Sequence, residues 1–147
     1  MKQNTSTLRG MATVSYFADD VKAAKKWYAE LLGTEPYFER PDAKNPAYVE
    51  FRFGDHQAEL GLIDKKFQPK GATGGPGGAV LFWHVDDIEA VHQQLIDMGC
   101  KEYDPVTNRE AGFVTASVID PFGNVLGIMY NPHYLEMLES YTAQAEK

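Results

Sequence analysis

A single cysteine, Cys100, serves all 147 residues, so an intramolecular disulfide is impossible and a thiolate zinc cluster is excluded. Cys100 directly follows Gly99 at the end of an expected helix, with no activating base close in sequence, and reads as a small packing residue rather than a nucleophile. Long apolar runs are also missing. No stretch reaches the length of a membrane span, and residues 1–10 are polar where a secretory leader would be apolar, so the expected setting is cytoplasmic with no membrane partner. Basic charge is scarce as well: 14 Lys and Arg stand against 21 Asp and Glu, a formal charge of −7. Nucleic-acid binding draws on clustered cations, and these are scattered, so no nucleic-acid partner is expected. At this length one compact domain buries enough apolar surface to fold without a staple or a structural metal.

What is present is a repeat. Val14-Ser15-Tyr16-Phe17-Ala18-Asp19-Asp20-Val21 returns as Leu81-Phe82-Trp83-His84-Val85-Asp86-Asp87-Ile88: an apolar strand, two aspartates, then a run of helical period. In the first copy, strand Ala12–Phe17 leads to a cap at Asp19 or Asp20. Val21, Ala24, Tyr28, Leu31 and Leu32 then share one helical face, and Gly33 stops the helix. Strands over Glu35–Arg40, Ala47–Phe53 and Gln57–Ile63 follow, separated by Pro41, Pro46 and the Gly54-Asp55 turn. The unit reads βαβββ.

The second copy begins after a glycine-rich stretch, Gly71 to Gly78, with strand Ala79–Val85, an aspartate cap, and a helix placing Ile88, Val91, Leu95 and Met98 on one face before Gly99. Gly33 to Tyr37 and Gly99 to Tyr103 share a spacing, and Phe53-Gly54 and Phe122-Gly123 are matching hairpin signals. The glycine-rich stretch lacks a following Gly-Lys-Ser/Thr and precedes a strand, so it is a linker, not a phosphate cradle. Strand Asn124–Tyr130 closes the copy, and a helix from Pro132 to about Ala143 carries Tyr134, Leu135, Leu138 and Tyr141. The expected organisation is a module over 12–64, a linker over 65–78, a module over 79–130 and a C-terminal helix over 132–144. The fold class is α+β.

Paired βαβββ units, an aspartate-capped helix with Trp27-Tyr28 ending Leu31-Leu32-Gly33, and the late motif Asp120-Pro121-Phe122-Gly123-Asn124 together resemble the vicinal oxygen chelate superfamily, which includes glyoxalase I, bleomycin-resistance proteins and extradiol dioxygenases. The resemblance covers about residues 12–130. It implies that the two modules form a cup-shaped mixed sheet around a ligand, that modules pair in a homodimer, and that metal-dependent members hold one divalent ion on four strand positions. Here those positions carry Thr13, Val80, Glu59 and Gly127, of which only Glu59 is a fitting ligand. The resemblance therefore points to the metal-free, bleomycin-resistance kind, with no cofactor and no metal ligand.

Alternation along a strand sets the cup face. It puts Thr13, Ser15 and Phe17 there with Val14 and Tyr16 under the helix; Val80, Phe82 and His84 there with Leu81, Trp83 and Val85 behind; then Gln57, Glu59 and Gly61, and Val125, Gly127 and Met129. The candidate ligand contacts are Glu59, His84, Phe82, Thr13, Ser15, Phe17, Gln57 and Met129, an apolar and aromatic pocket with few polar groups. Glu59 is either a binding carboxylate or one satisfied by Ser15 or Thr13; His84 is either a contact or a satisfied core histidine. His56 in a turn and His92 on a polar helix side are expected in solvent, and His133 in local packing. Asp19-Asp20 and Asp86-Asp87 are helix caps, and the Asp120 motif is turn chemistry. Three functions stand: sequestration of a small, partly aromatic molecule without a metal; a metal-dependent lyase, isomerase or dioxygenase; or an interaction module using the final helix.

Overall fold

A computed structural model describes residues 7–72 and 75–147; the start of the polar leader and Thr73-Gly74 of the linker lie outside the described residues. The chain forms two compact units, one running to Ala72 and one following it. Each holds a four-stranded mixed sheet, and three helices complete an α+β chain.

In the first unit, β1 (Thr13–Ala18) is followed by α1 (Val21–Leu32), β2 (Phe38–Arg40), β3 (Tyr48–Phe53) and β4 (Ala58–Asp64). The sheet order is β1-β4-β3-β2, with β1 parallel to β4 and the rest antiparallel. Asp20 is the capping member of its pair: its Oδ1 accepts from the Ala23 N–H at 2.9 Å, which contributes about 1 kcal/mol. Gly33 ends the helix at φ 66°, open to glycine without strain. Val21, Ala24 and Tyr28 bury the helical face, against a sheet side made of Tyr16, Val49, Phe51, Leu60 and Leu62. Lys25 of α1 reaches Glu39 of β2 at 2.6 Å, which fixes Glu39 on that side as well. The remaining sheet face is the one alternation reserves for a ligand.

In the second unit, β5 (Phe82–His84), α2 (Ile88–Asp97), β6 (Lys101–Asn108), β7 (Val114–Ile119) and β8 (Val125–Tyr130) repeat the plan in the order β5-β8-β7-β6, and α3 (Pro132–Ala145) follows. Asp87 caps α2 through Ala90 N–H at 3.1 Å, the counterpart of Asp20. Leu95, Ala116, Val118, Leu126 and Ile128 form the core on the helix side. Pro105, which has no N–H for a ladder, is tolerated because β6 is an edge strand with register shifts on both sides of Asp104. In the Asp120 turn, the buried carboxylate accepts from the N–H groups of Phe122 at 2.9 Å and Asn124 at 2.8 Å.

Several expected boundaries move. The strand read from Glu35 starts at Phe38, since Pro36 cannot donate, although Tyr37 N–H already bonds the Glu50 carbonyl at 3.1 Å. The strand read over Ala79–Val85 shortens to Phe82–His84, with Leu81 C=O and Val85 N–H extending its bonding to β8. Gln57 is not in a strand: at φ 51° it closes the hairpin turn, its N–H donating to Gly54 C=O at 3.2 Å. His92 is not in solvent. Its side chain is 16% exposed, 3.5 Å from Glu102, because α2 packs over β6 and β7 on that side.

Candidate functional site

The face of the first sheet turned away from α1 gathers polar and aromatic side chains from all four strands. Thr13 and Glu59 are register partners, as are Ser15 and Gly61, Arg52 and Glu59, and Glu50 and Gly61. The Glu59 carboxylate is held on both oxygens: Oε2 accepts from the Thr13 hydroxyl at 3.0 Å, and Oε1 accepts from Arg52 Nε and Nη2, each at 3.2 Å. Above the Tyr37 ring, 4.0 Å from its centroid, lies the Arg52 guanidinium. Glu50 receives two phenols, Tyr37 on Oε1 and Tyr48 on Oε2. Gly61 makes room for this arrangement, since a Cβ there would sit 3.1 Å from Ser15 Oγ and 3.2 Å from Tyr48 Oη.

These bonds set the protonation states. Burial alone would raise the Glu50 pKa, but the hydrogen bonds donated by Tyr37 and Tyr48, together with the Arg52 charge, outweigh it and hold the carboxyl below the usual range. Burial first, then the bond to Glu50 and the surrounding carboxylates, pushes the Tyr48 phenol up. Tyr37 rises chiefly through its bond to Glu50. Glu50 is thus ionised at neutral pH, with the two phenols beside it committed as donors.

The equivalent face of the second sheet is built differently, with the space over its central glycine taken. Phe82 pairs with Gly127 and His84 with Met129. A Cβ on Gly127 would lie 2.7 Å from the Leu81 carbonyl oxygen, 2.8 Å from the Phe82 ring and 3.0 Å from Val80 Cγ1, so no side chain fits there. Nor is Gly127 the counterpart of Glu59. Ser15 and Phe82 are repeat equivalents opposite Gly61 and Gly127, which makes Val125, two residues earlier on β8, the equivalent of Glu59.

His84 is engaged within its own unit. Its Nδ1 accepts from Asn131 N–H at 3.1 Å, so the proton sits on Nε2, which donates toward Asp86 at 3.2 Å. The Tyr134 ring stacks on the imidazole at 4.7 Å and 13°, leaving the side chain 8% exposed. His84 thereby anchors the first turn of α3.

Of the sequence-expected contacts, Thr13 and Glu59 meet directly, and Ser15 and Phe17 lie on the same face of β1. Gln57 sits in the turn with its side-chain amide turned back on Gly54. Phe82, His84 and Met129 belong to the second sheet, where Met129 Sδ accepts from Asn131 Nδ2 at 3.6 Å. Sequence reasoning passed over Tyr37, Tyr48, Glu50 and Arg52. The signal was there: Tyr48, Glu50 and Arg52 alternate with Val49, Phe51 and Phe53, the same period that located Glu59.

Among the described residues no group of three or more His, Cys, Asp and Glu side chains could hold a metal ion. The donors do not fit the divalent centre of the fold: Glu59 is taken by Thr13 and Arg52, Val80 and Val125 carry no donor, and the cradle at Gly127 is filled.

Two βαβββ units with this motif set define a class, and comparison agrees. The chain belongs to the glyoxalase/bleomycin resistance protein/dioxygenase superfamily, whose model matches residues 10–128. A glyoxalase-related enzyme from Fulvimarina pelagi is 21% identical with a TM-score of 0.65, over 85% of this chain and 90% of its own. A superfamily member from Sphaerobacter thermophilus is 20% identical with a TM-score of 0.65, over 86% and 100%. A glyoxalase/bleomycin resistance protein from Albidiferax ferrireducens is 18% identical with a TM-score of 0.61, over 83% and 98%. At such identities the likeness shows the fold alone. Comparison with curated proteins gave no match. Among the described residues no helix is long and apolar enough to cross a membrane.

Proposed function

We propose that this chain binds a small, partly aromatic molecule on the open face of its first sheet and needs no metal to do so. The observation that carries the reading is the Glu59–Arg52–Tyr37–Glu50–Tyr48 network, in which every charged group is already oriented by a protein partner. Preorganised polar groups beside exposed aromatic surface are what a small-molecule site requires, because little ordering entropy remains to be lost on binding. The missing donor set at Val80, Val125 and Gly127 supports metal independence. The carboxylates, phenols and guanidinium are committed to one another, which favours sequestration or sensing over turnover.

The test is a fragment screen followed by backbone amide NMR in the presence of a chelator. Shifts clustering at Thr13, Tyr48, Glu50, Arg52 and Glu59 are expected. Binding that appears only after a divalent ion is added, or shifts confined to the second sheet, would refute the proposal.

A further inference from the structure

The binding reading leaves the kind of ligand open, and three features of the first sheet narrow it. First, the Arg52 guanidinium is a fixed plane. Tyr37 lies against one side at 4.0 Å, Glu59 holds the edge through Nε and Nη2, and half of the side chain remains exposed. Among the described residues no other acceptor takes its remaining N–H groups. A planar, weakly hydrated cation held in this way is a stacking platform for a second flat ring.

Second, the rim of the platform is rich in acceptors. Tyr37 and Tyr48 spend their hydroxyl protons on Glu50, and Thr13 spends its own on Glu59. Each carboxylate has about four lone-pair sites, so both can still accept, and neither can donate. Third, the face carries two carboxylates, Glu50 and Glu59, and two guanidiniums, Arg52 and Arg40, the latter over the Phe38 ring at 5.1 Å, so no net charge on it selects an ion. An anion is disfavoured at the rim by the lone pairs of Glu50 and Glu59, and a cation stacked on Arg52 is disfavoured by like charge at contact distance.

We propose that this face selects an uncharged planar ring with N–H or O–H donors on its edge, stacked on the exposed side of Arg52 with those donors directed to Glu50 and Glu59. This deepens the binding reading above and rests on it.

The probe is 2-aminopurine, a flat, uncharged ring with an amino donor whose fluorescence falls on stacking, titrated into the full-length chain at neutral pH with first-sheet amide shifts followed in parallel. Saturable quenching in about the millimolar range expected of a fragment, with shifts at Arg52, Glu50 and Glu59, supports the proposal. Arg52→Lys keeps the charge and loses the plane, and is expected to weaken binding about tenfold. Tyr37→Leu removes the ring that fixes the guanidinium from below, and is expected to weaken it to a lesser degree; it also stands in should Arg52→Lys fail to fold. Cyclohexylammonium and benzoate are the counter-probes. Equal binding of 2-aminopurine by both variants, or preference for either counter-probe at the first sheet, overturns the ligand class while the binding face stands. Absence of any first-sheet shift with all three probes overturns both.

Discussion

Each module builds its own core by the same plan, and the two differ on the opposite face of the sheet. Thr13, Ser15, Tyr48, Glu50, Arg52 and Glu59 of the first correspond by register to Val80, Phe82, Thr115, Ser117, Ile119 and Val125 of the second. Each sheet keeps a glycine at the centre of that face, Gly61 or Gly127, and uses the space differently. In the first module it admits the hydroxyls of Ser15 and Tyr48; in the second it admits the Phe82 ring, Val80 and the Leu81 carbonyl. One backbone plan thus yields a charged, hydroxyl-lined floor in one copy and, in the other, an uncharged one whose central space is filled. Burial against the helix sets the fold, whereas the opposite face is free to diverge.

The glycine pair gives the largest test. In Gly127→Ala the new methyl meets backbone oxygen at 2.7 Å, which can yield only if the chain moves, at a cost of about 2–3 kcal/mol. In Gly61→Ala the contacts at 3.1–3.3 Å are side-chain ends, and the expected loss is about 1 kcal/mol or less. Urea unfolding of both variants measures the gap. Equal losses would mean that the two floors are not built differently.

His84 sharpens the contrast next, because its first-module equivalent, Phe17, has no ring nitrogen to offer a backbone donor. His84→Ala leaves the Asn131 N–H without its acceptor and removes the stack on Tyr134, for a loss of about 2 kcal/mol. Hydrogen exchange should quicken in the first turn of α3 and stay unchanged in β1 and β4. Uniform quickening across the chain would show that His84 holds more than that helix.

Acid separates the modules further. The folded Glu50 pKa lies below its unfolded value, so the stability it contributes is present above the usual glutamate range and is lost as pH falls through the lower, folded value. Glu50→Gln should therefore lower the denaturation midpoint at pH 7, with the gap to wild type closing on acidification. Ser117→Ala, its counterpart, should show no such pH dependence. A constant Glu50→Gln gap from pH 7 to pH 3 would contradict the sign.

How much of this was legible in the sequence follows from the same division. The repeat, both aspartate caps, the helical faces and the Thr13–Glu59 side of the site rest on local signals, period and turn chemistry, and these read directly from residue order. The Tyr37–Glu50–Tyr48 bonds and the Arg52 stack depend on cross-strand register, and a strand's partner is not written in its own residues. Gln57 reads as a strand residue by alternation, but its positive φ puts it in the turn and moves the strand start by one position. The resemblance sets Gly127 beside Glu59 as fourth-strand positions, and only the pairing of Phe82 with Gly127 shows the two-residue offset between them.

The smallest expected effect concerns the residue after each helix-stop glycine, Thr34 in the first module and Cys100 in the second. Cys100 is buried and its N–H donates to Leu95 C=O at 3.0 Å, so the side chain is fixed against the module core. Burial, with the nearby Asp120 charge, pushes the thiol up to about 12, and the reactive thiolate is scarce at neutral pH. The folded chain should be silent to a thiol-specific reagent at pH 8 and react with one equivalent in denaturant. Cys100→Thr, which copies the first module, should cost stability, since a hydroxyl enters a site that now holds a weakly polar sulfur. Rapid labelling of the native chain would mean that this corner of the second module opens, and that the two helix ends are less alike than their sequences imply.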